Sequence, residues 1–105
     1  MAHSIEVHWT APTMEEAQTI ARQAIANQCA ACAQIYPQIT SVYSWQGKVE
    51  EGNEIKVVFK TVAAKFTPLK ELILKNCSYK VPEITAVPII EGHMPYLDWM
   101  NEVLK

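Results

Sequence analysis

Residues 33–61, AQIYPQITSVYSWQGKVEEGNEIKVVFKT, read as one long β-hairpin turned at Trp45-Gln46-Gly47-Lys48. On the outgoing arm the odd positions Ala33, Ile35, Ile39, Tyr43 and Trp45 are mostly apolar, while Gln34, Gln38, Thr40, Ser44 and Gln46 are polar. A period of two sends successive side chains to opposite faces of a strand, so one face of each arm is expected to be covered. The return arm repeats the pattern, with Val49, Asn53, Ile55, Val57 and Phe59 set against Glu50, Glu54, Lys56 and Lys60. Both arms outrun the usual strand of about 5 or 6 residues. The tip around Trp45 should therefore project past the body of the domain, holding Tyr43 and Trp45 where their own chain cannot bury them. A second copy of the protein is the simplest cover.

On the N-terminal side, Ile5, Val7 and Trp9 alternate with Ser4, Glu6 and His8, a strand expected to end before Ala11-Pro12. Thr13-Met14-Glu15-Glu16 predicts a capping box, the Thr13 hydroxyl taking an orphan amide and Glu16 reaching back. Ala17, Ile20, Ala21, Ala24 and Ile25 follow at helical spacing as far as Asn27, a stripe of mostly small residues suited to close packing on a sheet. On the C-terminal side, Phe66, Leu69, Leu72 and Ile73 mark a second helix running to about Asn76. Proline suits only a first helical turn, so at Pro68 either Thr67 caps a short helix or an earlier turn bends. Glu83 to Glu91 reads as a last strand, and Gly92 and Pro95 frame a closing helix with Leu97, Met100 and Leu104 on one side.

Pro37 and Pro88 fall inside the second and fourth strands, where neither can donate to a ladder, so both strands belong at sheet edges or at bulges. The order βαββαβ with a C-terminal helix predicts an α+β, ferredoxin-like sandwich whose first and third strands are central. The two prolines independently put the other strands outside. Right-handed crossovers place both main helices on one face of the sheet and leave the opposite face bare, a second reason to expect self-association.

The 105 residues form one expected domain, 1–105, half of them hydrophobic and 19% charged, which excludes a disordered chain and implies exposed apolar area. A net charge of −2 without a Lys/Arg run gives no attraction to nucleic acid or an anionic membrane. The start, Met1-Ala2-His3-Ser4-Ile5-Glu6, lacks the regions of a signal peptide, and no apolar run is long enough to span a bilayer. Three cysteines, an odd count, fit a reducing compartment; a cytoplasmic location is expected.

Several stretches, in this order and spacing, resemble the CutA family of divalent-ion tolerance proteins. They are Thr10-Ala11-Pro12, Ala30-Ala31-Cys32-Ala33, Tyr43-Ser44-Trp45-Gln46-Gly47-Lys48, Glu50 with Glu54, Lys60-Thr61, Tyr79-Lys80-Val81-Pro82-Glu83-Ile84 and Tyr96-Leu97-Asp98-Trp99. The resemblance implies a ferredoxin-like homotrimer, similar in shape to the PII signalling proteins. It also implies a non-enzymatic role in the response to metal ions, with copper or another divalent metal bound in bacterial members. Some of those members carry a ligand cysteine just before the Thr-Ala-Pro and two histidines after the second helix. Here the matching positions are Trp9, Asn76 and Cys77. Trp9 cannot ligate and Asn76 is a poor copper donor beside imidazole or thiolate, leaving Cys77 as the single soft candidate.

Other constellations have plain structural readings. Cys29-Ala30-Ala31-Cys32 lies where a helix ends, so the helix dipole opposes a thiolate and the pair reads as two small buried apolar groups. His8 and Glu6 share a strand face as an ordinary surface contact; His93 stands near a cap and His3 on a loose terminus. Tyr43, Trp45, Lys48, Tyr79 and Trp99 are expected at the interface between copies, because Tyr and Trp suit interfaces with a wet polar tip. A cleft between copies lined by Lys48, Glu50 and Tyr79 offers an alternative, a PII-like sensor of a small metabolite, and a trimeric platform for other proteins is a third. No nucleophile, base and orienter stand together, so no enzyme is expected.

Overall fold

The computed structural model describes residues 3–105; Met1 and Ala2, part of the expected domain and of the start read for a signal peptide, lie outside them. The elements run β1 (Ser4–Ala11), α1 (Met14–Ala26), β2 (Cys32–Trp45), β3 (Lys48–Val62), α2 (Phe66–Asn76), β4 (Ile84–Pro88) and α3 (Met94–Val103). They build one antiparallel sheet in the order β2-β3-β1-β4, the ferredoxin-like arrangement. Pro37 and Pro88 both sit on edge strands, as their missing N–H requires. β4 ends at Pro88, so the expected strand to Glu91 is shorter, although Ile89 still donates to the Ser4 carbonyl at 3.0 Å. β1 runs one residue further than expected, through Ala11 opposite Ile55.

Ile5, Val7, Trp9 and Ala11 from β1 meet Ile55, Val57 and Phe59 from β3 under Ala17, Ile20, Ala21 and Ala24 of α1 and Leu69 and Ile73 of α2. Trp9 and Phe59, both without exposed surface, stack with ring centroids 6.4 Å apart. The alanines of α1 are what let the helix lie this close. Ile25, expected on the same stripe, is exposed. Pro68 falls in the first turn of α2, where no amide is needed, and a 3-10 turn at Ala63–Lys65 leads in; Thr67 caps nothing.

The hairpin is as long as its alternation implies, with strands of 14 and 15 residues. Gln46 and Gly47 turn it with φ of 50° and 78°, the paired positive angles of a two-residue turn whose twist matches the strands. The molecule is consequently elongated, 44 × 26 × 23 Å.

The outgoing arm does not keep one face. Tyr36 opposes Lys56 but Ile39 opposes Glu54, so Pro37 and Gln38 together face only Ile55 and form a β-bulge. An extra residue shifts the phase by one, and every later side chain changes sides. Ala33 and Ile35 share the helix-covered face with Phe59 and Val57, whereas Ile39, Tyr43 and Trp45 share the opposite face with Glu54, Glu50 and Lys48. The expectation that all the odd positions line one face is corrected by the bulge.

The face away from α1 and α2 is also less apolar than expected. Around Val58 it carries Glu6, His8 and Lys60, with Glu6 accepting from Lys60 Nζ at 2.8 Å and paired with His8 Nε2 at 3.0 Å. One end is covered by α3, whose Met100 and, just beyond it, Leu104 pack on Ala31 and Val62. The most open large apolar side chains lie on the hairpin and loops, with Trp45, Val49, Val81 and Ile90 at 60, 81, 92 and 86% exposure. His3 is not a loose end, since its carbonyl accepts from Ala63 at 2.7 Å.

Candidate functional site

The phase shift at Pro37 has a structural product. Tyr43 and Trp45 turn onto the open face, join Thr10 at the end of β1 and Glu54 on β3, and are met by residues 79–83, the connection between α2 and β4. Together these residues enclose a cleft of about 510 Å³. Tyr43, Trp45 and Tyr79 supply its aromatic walls. Glu54 is half-buried, while Lys80 and Glu83 stand exposed at the rim.

Tyr79 shows how closely the cleft is built. Burial first, and then the neighbouring Glu54 carboxylate as acceptor and as charge, push the Tyr79 phenol up to about 12. Its neutral form is favoured, so the hydroxyl stays protonated beside Glu54.

The loop itself is held from α1. Thr13 caps that helix through the Glu16 amide at 3.2 Å, but the Glu16 carboxylate does not close the expected capping box. It crosses instead to the loop and accepts from the Ser78 amide at 2.5 Å and the Ser78 hydroxyl at 3.0 Å. Charge-assisted bonds to both groups of one residue set where Tyr79 begins.

The three positions that the CutA resemblance aligns with metal ligands do come together, but with the wrong donors. Trp9 fills the core, and its indole N–H reaches only the Cys77 sulfur without making a regular hydrogen bond. The Asn76 side chain donates to the Leu72 carbonyl at 2.9 Å, one turn back along its own helix. Cys77 is half-buried against the core, and burial raises its thiol above the ordinary value despite the opposing pull of the Tyr79 amide and Trp9; the nearby Glu16 carboxylate adds to the rise. One thiol beside an indole, with the nearest amide turned back along its own helix, does not make a copper or zinc donor set. Among the described residues no group of three His, Cys, Asp or Glu is placed to hold a metal ion.

Of the residues expected between copies, Tyr43, Trp45 and Tyr79 converge on the cleft, whereas Lys48 stands opposite Trp45 at the hairpin tip. Trp99 is elsewhere, on α3 beside Tyr96 with centroids 5.5 Å apart, near the base of the hairpin where Cys32 opposes Lys60. Lys60 belongs to the Glu6 network rather than to the tip. Cys29 is buried, Cys32 half-buried, and all three cysteines are free. Thr10, Pro82 and Glu83 were not singled out as site residues by their sequence. The signal for Thr10 is its parity, since the polar positions of β1 run Glu6, His8, Thr10 along the open face.

A β2-β3-β1-β4 sheet under two helices, with an extended hairpin and a cleft along its outer half, defines a ferredoxin-like α+β protein of the elongated-hairpin type. The model of the CutA1 divalent ion tolerance protein family matches residues 5–103, and the chain belongs to that family. It is 45% identical over 93 residues to the divalent-cation tolerance protein CutA of Thermus thermophilus, covering 89% of this chain and 90% of that protein. With the protein CutA of Mus musculus it shares 38% identity over 96 residues, 91% of this chain but only 54% of the mouse protein. Against the crystal structure of CutA1 from Oryza sativa the TM-score is 0.95 at 36% identity, covering 99% of this chain and 95% of that one. No helix among the described residues is long and apolar enough to cross a membrane.

Proposed function

We propose that the protein is a homotrimeric, non-enzymatic binding protein of the cytoplasmic response to divalent cations, and that the cleft of Tyr43, Trp45, Glu54 and Tyr79 is its ligand site. The observation that carries the reading is the convergence of three aromatic side chains and a half-buried carboxylate on one cavity of about 510 Å³, within the range of small-molecule sites. Trimerisation is supported by the apolar side chains left open at the hairpin and by two edge strands with free ladder groups. Trp45, Lys48 and Val49 at the tip and Trp99 on α3 are the proposed contacts between copies, with Tyr43 and Tyr79 deeper in the cleft. Three free thiols support a reducing compartment.

A second reading, copper or another divalent metal bound through Cys77, rests on the family's name and on that residue's position. The donor chemistry around Cys77 disfavours it, so the cleft rather than the thiol is proposed as the ligand site. Titration calorimetry of the reduced protein with Cu(I), Cu(II) and Zn(II), repeated on Cys77→Ala, separates the two. Heats that are absent or unchanged by the substitution remove Cys77 as the ligand; tight binding that vanishes in Cys77→Ala restores the thiol.

A further inference from the structure

The cleft's composition narrows what it accepts. Its lining holds two carboxylates, Glu54 and Glu83, against one ammonium, Lys80. Lys80 and Glu83 are both exposed at the rim, where water screens them and each offsets the other. Glu54 is the charge further in, half-buried beside Tyr79 in the same lining, and a carboxylate keeps acceptor capacity for a second partner. Around that carboxylate stand the rings of Tyr43, Trp45 and Tyr79, which offer π faces to anything lodged between them. Trp45 is 60% and Tyr43 49% exposed in the single chain, and the cage requires that the copy covering Trp45 leaves its cleft-side face open.

An anion fits this lining poorly. It would face the half-buried Glu54 carboxylate, with only an exposed lysine in compensation. A bare divalent metal also fits poorly, since no cluster of three ligating side chains is present among the described residues and an indole and two phenols are not its donors. Aromatic faces grouped around a carboxylate recognise a cation that is large, weakly hydrated and partly apolar.

We infer that the cleft is an aromatic cage for an organic ammonium cation, a quaternary or alkylated amine seated among Tyr43, Trp45 and Tyr79 with its charge toward Glu54. The inference rests on the reading of the cleft as the ligand site and adds the ligand's charge and class. The bulge at Pro37 is the device that builds it, because without the phase shift Tyr43 and Trp45 would not share a face with Glu54.

The test uses the full chain in its native assembly, titrated with tetramethylammonium chloride while the indole N–H signals are followed by NMR, with sodium acetate and magnesium chloride at matched ionic strength as controls. Tetramethylammonium is expected to shift the Trp45 signal saturably and leave that of Trp9 in place, while the controls shift neither. Glu54→Gln, which keeps the size and a polar group beside Tyr79, should weaken binding by about tenfold. Trp45→Phe, read by calorimetry, should weaken it by a smaller factor, since tryptophan is the best of the aromatic partners. Lys80→Gln should leave binding equal or tighter. No shift with tetramethylammonium, an equal shift with acetate, or weaker binding in Lys80→Gln would each overturn the cage. Light scattering on the same samples keeps two failures apart: a trimer deaf to the cation sinks only the ligand class, whereas a monomer sinks the assembly and leaves the cation result to be read on its own.

Discussion

Tyr79 and Glu6 make claims that pH can test. The Tyr79 phenol, raised to about 12 against 10.0 for the free group, favours the folded state fully below pH 10, and that contribution is lost as pH climbs towards 12. Proton titration followed at the Tyr79 ring should give the late transition, and Glu54→Gln should bring it part of the way back, since burial, the larger cause, remains. Full return to 10 would put the whole effect on the carboxylate; no movement would deny the contact. Glu6 runs the other way. Hydrogen bonds from Lys60 and then His8 hold its carboxyl below the usual 4.5, so its contribution is present above that pH and lost as acid protonates it. The Lys60 ammonium, raised above 10.5 chiefly by the same hydrogen bond, contributes below that pH and loses its share above it. Denaturant midpoints of wild type and Glu6→Gln should therefore differ at neutral pH and converge on acidification; a constant gap would remove Glu6 from the pH response. Trp9, stacked on Phe59 with no exposed surface, should cost about 3–5 kcal/mol on truncation to alanine.

The hairpin decides where the cleft lies, and it does so through one surplus residue. Deleting Gln38 should erase the bulge, restore strict alternation and carry Tyr43 and Trp45 to the other face. Amide-exchange and NOE contacts in the shortened chain should then place Tyr43 away from Glu54. Retention of the Tyr43 to Glu54 proximity would contradict the bulge as its cause. Much of this architecture is legible beforehand. The turn at Gln46-Gly47, the Thr13 cap, the stripe of α1 and the edge positions of β2 and β4 all follow from local chemistry. The facing of the tip does not, because proline marks an edge or a bulge equally and only a bulge moves the phase. The Glu16 to Ser78 clamp is hidden for a different reason: a capping-box pattern fixes what a glutamate can do locally, while a partner 62 residues away competes for the same oxygens. The cleft is partly legible in Tyr43, Trp45 and Tyr79, but the expected lining residues Lys48 and Glu50 are not in it, and its loop side depends on the clamp that brings residues 79–83 across.

Taken whole, the molecule is a small sandwich with a long arm, and its most exposed apolar side chains sit on that arm and on two loops, with Val87 of β4 and Trp99 of α3 open to a lesser degree. The expected apolar open face is in fact occupied by the Glu6, His8 and Lys60 network and closed at one end by α3, so assembly has to draw on the tip and the edges. Trp45→Ala should consequently change little in an isolated chain but about 3 kcal/mol or more per subunit where the ring is buried between copies. A concentration-dependent melting point, steeper in the variant than in wild type, would report that loss. The most direct measurement is the mass in dilute solution by light scattering. A particle of three times the 11.8 kDa chain, falling towards single-chain mass in Trp45→Ala, is the predicted result. A wild-type protein that scatters as one chain across the same concentrations would contradict the account.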